Sequence, residues 1–134
     1  MTDIQKIEGI AYEHAKELSK AGVLTTEDLL REGATPRGRR DIEFVTRLPH
    51  KLILKWVNMA DLFRIKGISK EYSELLAVSG VNTVPELAQR NPEHLLKDMV
   101  KVNDKRNLVR KMPSRNMIAG WIEQAGKLPR IVEY

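Results

Sequence analysis

The sequence predicts an all-α protein: two duplicated helical units packed as one compact bundle. Three observations predict it. Apolar residues recur at helical spacing in nearly every segment. Helix-starting residues and helix-stopping glycines alternate along the chain. The chain also repeats itself at an offset of 58 residues.

The repeat sets the domain organisation. Ile7-Glu8-Gly9-Ile10 matches Ile65-Lys66-Gly67-Ile68, and Gly22-Val23 matches Gly80-Val81. Glu13, Leu18, Thr25 and Leu29 match Glu71, Leu76, Thr83 and Leu87. Further along the offset becomes 65, where Trp56 meets Trp121 and Ala60 meets Ala125. Residues 1–63 form the first predicted repeat and 64–134 the second, which carries a seven-residue insertion.

Each element follows from local chemistry. Gly9 makes a tight turn, and residues 11–21 form a helix with Ala15, Leu18 and Ala21 on one face. Gly22 stops it, because glycine takes the left-handed conformation that ends helices. Thr25 caps the next helix, with Asp28 in the capping-box position. Thr35-Pro36 opens the third, proline fitting a first turn, and Ile42, Val45 and Leu48 are its expected apolar side. Leu48-Pro49 begins a fourth, with Leu52, Trp56, Met59 and Leu62 at helical spacing. The second repeat follows suit. Residues 69–79 are helical, Gly80 stops them, and Thr83 caps a helix with Pro85 in its first turn. Asn91-Pro92 opens a longer helix, and Ser114 caps the last. Only the tail, residues 130–134, alternates at period two. Roughly ten short helices joined by loops of mostly two to five residues are expected.

Composition narrows the function. The chain has 134 residues, no Cys and only three His, which excludes disulfide frameworks, thiol catalysis and a His-rich metal centre. No uncharged apolar run approaches the ~20 residues of a membrane span. The start, Met1-Thr2-Asp3-Ile4, lacks a signal-peptide pattern. A soluble cytoplasmic protein without membrane contact is expected. No phosphate loop, metal spacing or nucleophile elbow occurs, so no enzyme and no cofactor are expected.

The net charge of +5 is concentrated. Residues 97–115 hold Lys97, Lys101, Lys105, Arg106, Arg110, Lys111 and Arg115 against Asp98 and Asp104. A second cluster is Arg37, Arg39 and Arg40, whereas Glu8, Glu13 and Glu17 make the first segment acidic. Basic clusters attract phosphate.

Ile7-x-Gly9-Ile10-x-x-x-x-Ala15-x-x-Leu18 and Ile65-x-Gly67-Ile68-x-x-x-x-Ser73-x-x-Leu76 resemble the helix-hairpin-helix motif. That resemblance implies backbone amides aimed at a nucleic-acid phosphate from the turn and the following helix N-terminus. The motif's second glycine is replaced by Ala11 and Ser69. Glu8 and Glu13 flank the first hairpin; Lys66 and Lys70 flank the second, which is therefore the expected phosphate site. Lys20-Ala21-Gly22-Val23-x-Thr25-x-x-Asp28-Leu29 is similar to RNA polymerase alpha C-terminal-domain-like and sterile-alpha-motif-like helical folds. The whole pattern, including 34–40, 54–62, 86–93 and 128–132, resembles an uncharacterised family of tandem helix-hairpin-helix proteins described as a domain of unknown function. That likeness implies a fold and no activity.

Two functions compete. The first is a non-catalytic nucleic-acid-binding protein that contacts the phosphate backbone, with duplex DNA the expected partner. Its candidate residues are Lys66, Gly67, Ser69, Lys70, Lys105, Arg106, Arg110, Lys111 and Arg115, with Arg37, Arg39 and Arg40. The alternative is a protein–protein interaction scaffold, with a protein partner at the acidic first half. A helix-turn-helix reading of residues 36–63, with His50, Lys51, Lys55 and Asn58 as contacts, is weaker than a plain helical hairpin. Trp56 and Trp121 have apolar helical neighbours and are expected in the core rather than as stacking platforms.

Overall fold

A computed structural model describes residues 2–134, and it is all-helical. Among the described residues there are eight α-helices and one 3-10 helix, Ile4–Lys6, against the roughly ten helices expected. The α-helices are α1 (Tyr12–Lys20), α2 (Thr26–Glu32), α3 (Pro36–Thr46), α4 (His50–Leu62), α5 (Lys70–Val78), α6 (Val84–Ala88), α7 (Pro92–Arg106) and α8 (Arg115–Lys127). No helix among the described residues is long and apolar enough to cross a membrane.

The helix starts have the predicted chemistry. Thr25 and Asp28 form a complete capping box: Thr25 Oγ1 accepts from Asp28 N at 3.0 Å, and the Asp28 carboxylate accepts from Thr25 N at 3.2 Å. Thr35, Ser69, Asn91 and Ser114 each accept a first-turn amide hydrogen of the helix they open. Such caps satisfy donors that a helix start leaves without an internal partner. Thr83 departs from the pattern. It makes no side-chain cap bond, and the Glu86 carboxylate accepts from Asn82 N at 3.0 Å instead.

The chain divides into two compact units: Met1–Asp61 with Ile131–Tyr134, and Leu62–Arg130. In the first, α1 and α2 pack against α3, and the 3-10 helix packs against α1 and α2. Ile7, Leu18, Leu29, Ile53 and Trp56 are fully buried there. The tail is not a strand. It is held by Glu133 N donating to Ala34 O at 2.7 Å and by the Tyr134 hydroxyl donating to Asn58 Oδ1 at 2.9 Å. In the second unit α6 and α7 pack against α8, and α5 packs against α7. Leu75, Leu76, Leu87, Leu95, Ile118 and Trp121 belong to its core.

The same bonds recur within each unit. Val23 N donates to Leu18 O, and Val81 N to Leu76 O, closing α1 and α5 around Gly22 (φ +79°) and Gly80 (φ +96°). Leu24 N donates to the Asp28 carboxylate as Asn82 N does to that of Glu86. His14 lies 5.1 Å from the Trp56 ring, and Tyr72 lies 5.4 Å from the Trp121 ring. The two units differ in length where the basic stretch lies. α7 has 15 residues against 11 in α3, and connection 107–114 replaces the short turn 47–49.

One face of α3 differs from the expected one. Val45 is exposed, and Leu48 lies beyond the helix end. The buried positions are Arg39, Ile42 and Thr46, spaced at i, i+3 and i+7. That spacing is as helical as the predicted one but carries an arginine and a threonine inward. Thr46 is accommodated because its hydroxyl donates to Ile42 O at 2.7 Å.

Candidate nucleic-acid interface

In the second unit the hairpin turn precedes α5. Gly67 has φ +96°, a conformation that only glycine adopts without strain. Ile65 N donates to Leu62 O and Ile68 N to Ile65 O, so the turn is closed by its own backbone. Gln124 of α8 clamps it from outside: Lys66 N donates to Gln124 Oε1 at 3.0 Å, and Gln124 Nε2 donates to Lys66 O at 3.3 Å. The Lys66 amide is thereby occupied, while its side chain is exposed. Ser69 is the N-cap of α5. Its oxygen accepts from Tyr72 N, which leaves the hydroxyl proton to be donated outward.

The basic connection is anchored next to this hairpin. Asn107 ends α7 in the left-handed conformation (φ 52°), which asparagine tolerates better than most residues. Asn103 holds the chain beyond it, with Val109 N donating to Oδ1 at 3.0 Å and Nδ2 donating to Val109 O at 3.2 Å. The decisive link is Tyr72, in the first turn of α5, whose hydroxyl donates to Lys111 O at 3.0 Å. Lys111 and Arg110 are thus tied to the helix that Ser69 and Lys70 begin. Lys66, Lys70, Lys105, Arg106, Arg110 and Lys111 are all exposed.

Not every candidate residue is brought into this surface. Arg115 pairs with Glu93 at 2.6 Å, and this pairing holds the Glu93 carboxyl below the usual carboxylate range. Its charge is therefore partly spent. Arg37 and Arg40 are exposed but belong to the first unit. Arg39, expected beside them among the contacts, is instead turned inward, and only 3% of it is exposed. Its guanidinium donates to Gly33 O at 2.9 Å, to Ala34 O at 3.2 Å and to Glu133 O at 2.7 Å. A planar guanidinium with five donors suits such convergent carbonyls.

The model of the family described as Domain of unknown function (DUF4332) matches residues 8–128. The chain belongs to this family. No curated protein and no solved structure matches it. The match includes residues 66–70, the basic connection and Gln124.

Two residues that hold this surface together stand outside every sequence motif. Tyr72 and Gln124 carry no charge, and their partners are the backbones of Lys111 and Lys66, distant in sequence. The available signal for Tyr72 was its match to His14 at the 58-residue offset. Trp56 and Trp121 are buried, as their neighbours predict. In the first unit Asn58 accepts from Tyr134, and His50 Nδ1 lies 3.7 Å from Glu43.

Proposed function

We propose that this DUF4332 protein is a non-catalytic nucleic-acid-binding protein of the cytoplasm that grips duplex DNA by its phosphate backbone. On this reading the two units are duplicated helix-hairpin-helix repeats, and the second is the one that binds. The observation that carries the proposal is the Tyr72–Lys111 bond, which joins a hairpin to a lysine- and arginine-rich connection. The start of α5 contributes amide hydrogens and the helix dipole, both favourable to an anion. Lys66, Lys70, Lys105, Arg106, Arg110 and Lys111 contribute charge around it. Phosphate contacts of this kind position a protein without reading bases, so little sequence preference is expected.

The test is duplex affinity measured against salt. Four to five neutralised phosphates give a log–log slope of about −4. Arg110→Glu with Lys111→Glu should weaken binding to unrelated duplexes alike. No duplex binding at low salt, or binding indifferent to that double substitution, removes the proposal.

A protein partner at the acidic first unit is the second reading. Tyr12 is 72% exposed beside Glu13, an aromatic anchor on an acidic surface. Aromatic residues of this kind dominate protein interfaces. A partner that binds the first unit and is lost with Tyr12→Ala supports it.

A further inference from the structure

Phe44 is the most exposed large apolar side chain described, at 82%. A solvated phenylalanine ring on the outside of a well-packed helix serves no folding purpose, because burial is what makes such a ring stabilising. Its neighbours on α3 are not apolar. Arg37, Arg40 and Phe44 follow at spacings of three and four residues, within about 60° of one another around the helix, and Arg47 is the left-handed C-cap that ends it. All four are exposed. Among the described residues none of the three guanidinia is ion-paired.

The surface beside this row is concave. Arg40, Glu43, Phe44, Arg47, Leu48 and Pro49 line an open hollow of about 590 Å³. Its acid, Glu43, faces His50 at 3.7 Å. Asp41 lies about 40° beyond Arg37 in helical phase, on the side away from Phe44.

The platform itself is rigid. The opposite side of α3 is pinned by Arg39 to three carbonyls and by Ile42 in the core. The helix start fits closely against α2, since a Cβ at Gly38 would meet Glu32 O at 2.0 Å.

An exposed aromatic ring on a pinned helix, among unpaired guanidinia, suits an unpaired base with phosphates on both sides. Base–aromatic stacking needs an accessible ring face, and duplex DNA hides its bases' faces in the stack. The ten-residue span from Arg37 to Arg47 rises about 15 Å. We infer that α3 carries a binding site for single-stranded nucleic acid, with Phe44 stacking on a base and Arg37, Arg40 and Arg47 holding the flanking phosphates. This site lies in the first unit and does not depend on the duplex grip proposed for the second. An acidic protein segment is the competing occupant; it would use the guanidinia but gain nothing particular from a base-sized ring face.

Phe44→Trp tests it directly, because Trp56 and Trp121 are buried and the introduced indole would be the exposed one. Titration with a ten-nucleotide oligothymidylate should quench the added emission, and an abasic oligomer of equal charge should not. Phe44→Ala should lower single-strand affinity about tenfold, consistent with the loss of one stacked base. Arg47→Gly should lower it severalfold without lowering the melting temperature, since Arg47 has φ 61° and glycine is favoured there. Arg110→Glu with Lys111→Glu should leave the quenching intact, which separates this site from the duplex surface. The inference is overturned if the abasic oligomer quenches equally, if Phe44→Ala keeps single-strand affinity within twofold, or if oligoglutamate displaces the oligothymidylate at equal charge.

Discussion

A Cβ placed on Gly67 would lie 3.0 Å from Nε1 of Trp121, whereas one on Gly9 would lie 3.6 Å from Nε1 of Trp56. Both glycines have positive φ, +96° and +94°, so both turns resist any side chain. Only the second adds a steric conflict with a buried indole. Gly80 has the same φ of +96° with open space around it. Gly80→Ala should therefore cost about 1–2 kcal/mol from backbone strain alone. Gly67→Ala should cost more, roughly 2–4 kcal/mol, because overpacking adds to the strain. Urea denaturation of the two variants checks this. Equal losses would show that the indole yields at no cost.

Arg39 should behave as a core residue despite its charge. Arg39→Ala removes the side-chain donor of Gly33 O and Glu133 O and leaves Ala34 O only its bond from Glu133 N, at a cost of roughly 2–4 kcal/mol. Arg37→Ala and Arg40→Ala, both exposed, should stay within about 0.5 kcal/mol. Thermal melts of the three variants decide the matter. Similar stability for all three would mean that Arg39 does not hold the tail.

The Asp28 carboxyl is held below the usual carboxylate range, first by the Leu24 amide and then by Arg31. A carboxyl whose folded pKa is depressed contributes stability that is fully present above its unfolded pKa, about 3.9, and that disappears as pH falls through the folded value. Asp28→Ala should lose about 1 kcal/mol at pH 7, the usual worth of such a cap. The difference from the native protein should shrink below about pH 4. Melts between pH 7 and pH 2 measure it, and a difference that does not change with pH would contradict the assignment.

Tyr72→Phe removes one hydrogen bond, to Lys111 O, and keeps the ring against Trp121. Stability should fall by about 1 kcal/mol. Duplex affinity should fall severalfold at unchanged net charge, because the basic connection is no longer tied to α5. Unaltered affinity would place the DNA contacts away from residues 105–111.

Glu93→Gln releases Arg115 from its 2.6 Å partner. Duplex binding should tighten, and the salt slope should steepen by about 1 if the freed guanidinium reaches a phosphate. An unchanged slope would exclude Arg115 from the contact surface.

Much of this protein was legible in its sequence because helix boundaries are decided locally. Thr25, Thr35, Ser69, Asn91 and Ser114 cap amides only two or three residues ahead, and Gly22 and Gly80 end helices through their own backbone angles. Such signals survive in one dimension. The periodicity of apolar residues likewise marked both tryptophans as core. Tertiary structure decided what long-range bonds decide. Arg37, Arg39 and Arg40 read alike as a basic cluster, yet Arg39 turns inward to a carbonyl 94 residues away while its neighbours stay in solvent. The tail alternates like a strand, but a strand needs a partner, and the Glu133–Ala34 bond is not part of a ladder. The hairpin and the basic connection are joined by a hydrogen bond from Tyr72 to a backbone carbonyl 39 positions on. Backbone carbonyls are identical at every residue, so no pattern of side chains announces which of them a distant tyrosine or arginine will find.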